Sequence, residues 1–112
     1  MKLNDVIIIG KGPAGISAAL YTQRANIKTL IIGRDGSSLD KAAEIENYYG
    51  LEEPISGKKL LKIGERQAQR LGVKILNEEV IGITYSYDEK YFKVSTAKDE
   101  YYSRAVLIAT GQ

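Results

Sequence analysis

Apolar residues arrive in two rhythms along this chain. Val6-Ile7-Ile8-Ile9, Leu30-Ile31-Ile32 and Ala105-Val106-Leu107-Ile108 are short, unbroken apolar runs. Such runs mark strands buried on both faces, as in parallel sheets. Between the first two, residues 13 to 25 set Ile16 and Leu20 among the small Ala14, Ala18 and Ala19, which predicts a helix able to lie close on a sheet. With the second strand at Thr29 to Gly33, this gives a βαβ unit whose crossover is right-handed. Ser56 is suited to cap a second helix running to about Leu71, with Leu60, Gly64, Ala68 and Leu71 on one face and Gly72 as the stop. Val73 to Leu76 reads as a third strand. From Val80 to Ser103 apolar and polar residues alternate, with turns at Asp88-Glu89-Lys90 and Lys98-Asp99-Glu100. That pattern predicts a small antiparallel meander ahead of the last strand, residues 105 to 111. Residues 34 to 55 carry no sustained period, and so long a loop in a compact domain is uncommon unless it binds something or is disordered. The order of elements predicts an α/β fold.

Composition narrows the chemistry. A chain of 112 residues has room for one domain with a modest core. Its 16 basic and 14 acidic residues nearly cancel, which makes no case for nucleic acid or an anionic membrane as partner. It has no cysteine and no histidine, so disulfides, thiolate metal sites, zinc chemistry carried by these side chains and Ser-His or Cys-His nucleophiles are excluded. The first residues run straight into a strand, and no apolar stretch approaches membrane-spanning length. A soluble, cytoplasmic domain is expected.

The densest signal is Gly10-Lys11-Gly12-Pro13-Ala14-Gly15, where the first apolar run ends and the first helix begins. A strand turning sharply into a helix aims unpaired backbone N–H groups and the positive end of the helix dipole at one spot, which suits a pyrophosphate. Gly10 makes the turn, Gly12 admits the phosphates to the backbone, and Gly15 permits close helix–strand contact. Pro13 falls at the first helical position, where its missing N–H costs nothing. The stretch is built to hold a dinucleotide. One customary part is missing: an Asp or Glu closing the second strand, to bind the adenosine ribose, is replaced by Gly33, followed by Arg34 and Asp35. Asp35 from a shifted position, Arg34 on a phosphate, backbone groups alone, and a plain solvated turn all remain open readings.

With these residues in hand, the sequence resembles the FAD-binding segment of the thioredoxin reductase family, within the pyridine nucleotide-disulfide oxidoreductases. The resemblance rests on "VIIIGKGPAGISAALYTQRANIKTLIIG", "EIENYYG", "EPISGKKLLKIGERQAQRLGVKI" and "VLIATG", in that order over essentially the whole chain. It departs at Gly36 to Lys41, "GSSLDK", where the family has "GGQL", and at Tyr49, where the family usually has proline. The resemblance implies a three-layer Rossmann-like FAD-binding domain whose parallel sheet has the order 3-2-1-4 with the fifth strand missing, plus the small meander. By position it implies that Gly10, Lys11, Gly12, Pro13, Ala14 and Gly15 surround the pyrophosphate and that Gly33 and Arg34 lie by the ribose. It also implies that Asn47 contacts FAD, that the Val80 backbone meets the adenine, and that Ala109, Thr110 and Gly111 lie beside the cofactor. No catalytic or metal-binding residue is expected in this chain.

The same resemblance implies that residues 1–112 are one incomplete FAD-binding domain, the opening part of an FAD-dependent NAD(P)H oxidoreductase whose nicotinamide site and redox Cys-x-x-Cys lie elsewhere. Alone, such a chain is not expected to turn over. Two other readings stand beside it: an NAD(P)-binding domain of a dehydrogenase, and an incomplete domain that self-pairs or dimerises through an open sheet edge without tight cofactor binding. Of the eight tyrosines, Tyr85, Tyr87, Tyr91, Tyr101 and Tyr102 fall in the meander, where they are expected to form cross-strand pairs. Lys58, Lys59, Lys62, Arg66 and Arg70 give the second helix a basic, solvated side, interrupted by Glu65.

Overall fold

The computed structural model describes residues 2–34 and 56–110. The strand β1 (Leu3–Ile9) leads into the helix α1 (Pro13–Arg24) and returns through β2 (Thr29–Gly33). A second described helix, α2 (Gly57–Arg70), precedes β3 (Lys74–Asn77), β4 (Val80–Ser86), β5 (Tyr91–Thr96) and β6 (Glu100–Ile108). All six strands join one sheet in the order β3-β2-β1-β6-β5-β4. The pairs β3–β2, β2–β1 and β1–β6 are parallel, so this part has the expected 3-2-1-4 order.

The antiparallel part departs from expectation in its connection. Instead of a separate meander followed by a new strand, Glu100–Ile108 is a single nine-residue strand. Its first half pairs with β5, from Ser95↔Glu100 to Phe92↔Ser103, and its length from Tyr102 to Ile108 pairs with β1. No glycine or proline interrupts Glu100 to Ile108, and the aromatic and aliphatic side chains favour continued extension. The turn at residues 87–90 is as expected, whereas Glu100 already belongs to the strand. Beyond Ser103 the second edge of β6 has no strand partner among the described residues, and Leu107 and Ile108 are exposed there.

Alternation along the parallel strands builds two cores. Val6, Ile8 and Ile31 face the helices and meet Ile16, Ala19, Leu61, Ala68 and Val73. Ile7, Ile9, Leu30 and Ile32 face the other way and meet Val94, with Val80 and Tyr101 packed against them, so the β4–β5 hairpin supplies the third layer. Small side chains let the helices approach: Ala19 and Ala68 are fully buried, and a Cβ at Gly64 would stand 3.2 Å from the Ile16 side chain. The buried face of α2 includes Ala68, with Gly64 against Ile16, as expected, but takes Leu61 rather than Leu60 as its buried leucine, and Leu71 is exposed. The five basic residues of α2 are all exposed. The Ser56 hydroxyl accepts a hydrogen bond from the Lys59 amide at 3.1 Å, the cap expected of it. β3 runs one residue later than its apolar pattern suggests, because Leu30–Gly33 pair with Lys74–Asn77. Aromatic pairs do form on the antiparallel strands, Tyr85 with Phe92 at 4.7 Å and Tyr91 with Tyr102 at 5.4 Å between ring centroids. No helix among the described residues is long and apolar enough to cross a membrane.

Candidate functional site

The carboxyl ends of four parallel strands line one edge of the sheet. At β1 the chain order reverses, with β2 on one side and β6 on the other. Such a switch point is where open α/β sheets leave a crevice for ligands. The glycine turn occupies it. Gly10 has φ +118, its amide donates to the Ile32 carbonyl at 2.8 Å, and a Cβ there would lie 2.6 Å from the Ala109 oxygen. The backbone conformation and the close neighbour both exclude larger residues. On the far side Ala109 donates its amide to the Ile9 carbonyl at 2.8 Å, which fixes Ala109 and Thr110 beside Gly10.

Gly12 is the N-cap of α1, extended at φ −81 and ψ −169, and among the described residues no side chain caps the helix. The first intrahelical bond is Ile16 to the Gly12 carbonyl, 3.0 Å. Pro13 carries no amide hydrogen, and the N–H groups of the first turn have no intrahelical acceptor by construction. There is no acidic residue in that turn to offset the dipole. Pro13 and Ala14 are exposed, so the mouth of the helix opens outward. A Cβ at Gly15 would fall on the Gly10 carbonyl oxygen, which explains why the helix can start so close to the strand. The arrangement is a cradle of backbone, packed too closely at Gly10 and Gly15 for any side chain, and its helix-start N–H groups, which lack intrahelical acceptors, fit a diphosphate.

Gly33 abuts this turn. A Cβ there would lie 2.7 Å from the Lys11 amide nitrogen and 3.1 Å from the Gly10 carbonyl carbon. The missing acid therefore has a steric cause: the turn fills the space a side chain needs. The Lys11 ammonium stands 3.7 Å from the Glu65 carboxylate of α2, while the Lys11 amide nitrogen borders Gly33.

The next part of the edge is tied to Gly33. Gly33 pairs with Asn77, and the Glu78 amide donates to the Gly33 carbonyl at 3.1 Å. Arg34 reaches across to Glu79, 3.6 Å away, both side chains about two-thirds exposed. Val80 packs its side chain against the second core and pairs with Thr96 of β5. The Glu78 carboxylate accepts from the Tyr101 hydroxyl at 2.9 and 3.0 Å and from the Thr96 hydroxyl at 2.7 Å, holding β3's exit to the hairpin. Burial, chiefly, together with the bond and charge of Glu78, pushes the Tyr101 hydroxyl up to about 12.

The fold thus brings together Gly10, Lys11, Gly12, Pro13, Ala14, Gly15, Gly33, Arg34, Val80, Ala109 and Thr110. Asn47 and Gly111 lie outside the described residues, as do Asp35 and the departures at Gly36 to Lys41 and Tyr49. Sequence reasoning passed over Glu78 and Glu79, which belong to no fixed-spacing motif. Their one signal is adjacency to Val80.

Comparison with known proteins fits this geometry. The family described as pyridine nucleotide-disulphide oxidoreductase matches residues 4–112. The chain is 43% identical to a thioredoxin reductase of Aquifex aeolicus, over 98% of this chain and 34% of the relative. It is 38% identical to a thioredoxin reductase of Rickettsia bellii, over 99% of this chain and 36% of the relative. Among solved structures, a thioredoxin reductase from Gloeobacter violaceus superposes with a TM-score of 0.91 at 35% identity, covering 99% of this chain and 37% of that one. The chain spans about a third of the length of the curated relatives it matches.

Proposed function

The chain belongs to the pyridine nucleotide-disulphide oxidoreductase family, and on that premise we propose that it is an FAD-binding segment of a thioredoxin reductase-like flavoprotein, holding the ADP part of FAD at the Gly10–Gly15 turn. The observation that carries this reading is the mouth of α1, which no side chain caps among the described residues, set at the sheet's switch point with no acid in its first turn. Gly10, Lys11, Gly12, Ala14 and Gly15 surround the diphosphate with backbone, and Pro13 stiffens the helix start without removing a needed donor. Gly33 and Arg34 lie on the ribose side and the Val80 backbone on the adenine side. Ala109 and Thr110 border the flavin-ward side, where Asn47 and Gly111 join them by resemblance.

When bound, FAD supplies hydride and electron transfer between a nicotinamide and an acceptor. This chain's residues bind and orient; none of them takes part as nucleophile, acid or base. Residues 1–112 read as a single incomplete FAD-binding domain acting in the cytoplasm, with NAD(P)H binding and the disulfide chemistry belonging to other parts of a longer enzyme. The test is a thermal-shift and desalting experiment with FAD, ADP and NADP. Stabilisation by FAD and ADP, with flavin absorbance retained on the protein, is the expected result. Stabilisation by NADP alone favours a dehydrogenase domain, and no response to any of them removes the binding assignment.

One observation favours a second reading, self-association. The β6 edge from Arg104 to Ile108 lacks a strand partner among the described residues, and exposed Leu107 and Ile108 flank it. Sedimentation over a range of concentrations decides: a monomer throughout excludes it.

A further inference from the structure

Dinucleotide-binding sheets ordinarily place a carboxylate at the end of the second strand to receive the ribose hydroxyls. Here the glycine turn bars any side chain from Gly33, since even a Cβ would crowd the Lys11 amide at 2.7 Å. Any carboxylate that receives the ribose hydroxyls therefore comes from elsewhere in the fold. Among the described residues three glutamates approach this edge. Glu65 faces Lys11 on the α2 side. Glu78 is engaged by the Tyr101 and Thr96 hydroxyls, on the side of the hairpin. Glu79 remains, and its carboxylate stands beside Arg34, the residue that follows Gly33.

Resting on the FAD reading above, we infer that Glu79, delivered by the β3–β4 connection, is the ribose-binding carboxylate that β2 lacks, and that with Arg34 it selects an adenosine whose 2′-hydroxyl is unphosphorylated. The placement follows from the backbone. The Glu78 amide is anchored on the Gly33 carbonyl at 3.1 Å, and Val80 is anchored in the core, so Glu79 is fixed between the ribose side and the adenine side. Its side chain is 65% exposed and held at one oxygen by the Arg34 guanidinium, 3.6 Å away, which leaves the other oxygen to accept from a hydroxyl. A 2′-phosphate at the same place meets the glutamate's charge before it can use the arginine's. Glu79 is therefore a specificity determinant as well as a ligand. Removing it releases Arg34 to bind a phosphate.

The experiment titrates the 112-residue chain and its Glu79→Ala and Glu79→Gln variants with ADP, 2′-deoxy-ADP and adenosine 2′,5′-bisphosphate, following calorimetry and amide NMR shifts. Expected for the wild type is a preference of about tenfold for ADP over its deoxy analogue, the size of one hydrogen bond to a charged group. In Glu79→Ala that preference disappears and in Glu79→Gln, whose amide oxygen still accepts but carries no charge, it shrinks; in both the deoxy analogue binds as before and the 2′-phosphorylated nucleotide binds several-fold more tightly. The gain distinguishes recognition from damage, because a merely disturbed loop weakens all three. If ADP binds and the variants keep the wild-type preference, the inference is overturned and the FAD reading stands. The same holds if the wild type shows no preference. A preference that survives Glu79→Ala but vanishes in Asp35→Asn assigns the role to Asp35. If the wild type binds no ADP, the FAD reading itself fails, and this inference with it.

Discussion

Restoring the customary acid with Gly33→Asp should damage this site rather than improve it. The new Cβ would stand 2.7 Å from the Lys11 nitrogen, 3.1 Å from the Gly10 carbonyl carbon and 3.2 Å from the Gly10 Cα. Ordinary carbon contacts need several tenths of an ångström more in each case. All three neighbours are backbone, so no side chain can rotate away, and relief requires moving the glycine turn or the end of β2. Overpacking of this kind costs about 1–3 kcal/mol. In a domain of this length each kcal/mol corresponds to about 4 °C in Tm, giving a fall of about 4–12 °C. The moved turn also loses its aim at the diphosphate, and a comparable loss in binding energy lowers ADP affinity about tenfold or more. Thermal unfolding followed by circular dichroism and calorimetric ADP titration measure both effects. Gly33→Ala separates sterics from charge, and it should show most of the Tm loss. The reasoning is refuted if Gly33→Asp unfolds at the wild-type temperature and binds ADP more tightly.

Tyr101→Phe removes the hydroxyl that donates to Glu78 and should destabilise the fold by about 1–2 kcal/mol near neutral pH. The hydroxyl is raised from 10.0 to about 12 in the fold, so the stability it contributes is intact below pH 10 and fades as pH climbs toward 12. Urea unfolding from pH 8 upward should show wild type and variant converging above pH 10, and a constant gap would disprove the assignment. Ser56→Ala strips the cap that receives the Lys59 amide, and should cost about 1 kcal/mol by the same assay, while Ser56→Gly costs only a few tenths. Equal stability of all three chains would show that the cap contributes nothing.

The glycine turn and the parallel strands were legible in the sequence because their causes are local. Gly10 must occupy a left-handed backbone, Pro13 must open a helix, and unbroken aliphatic runs such as Val6–Ile9 have no stable place except between two layers. The resemblance in "EIENYYG" and "VLIATG" carried the cofactor, since no count or period specifies a flavin. Gly64 and Ala68 on the α2 face were legible, whereas Leu61 rather than Leu60 is the buried leucine, because the two are adjacent and only the approach of α1 at Gly64 decides which points inward.

By itself, then, the sequence determined which segments are strands and helices and where a phosphate-binding turn must lie, since those follow from dihedral limits and side-chain periodicity within a few residues. Tertiary structure decided what depends on distant neighbours. It made one strand of residues 100–108, because β5 and β1 claim successive stretches of the same extended chain. It showed that Gly33 is glycine for want of space beside Lys11, and it set Glu79 against Arg34 across 45 residues of chain, 79 minus 34. Charge and sterics act through space, and only folding determines which distant residues share it.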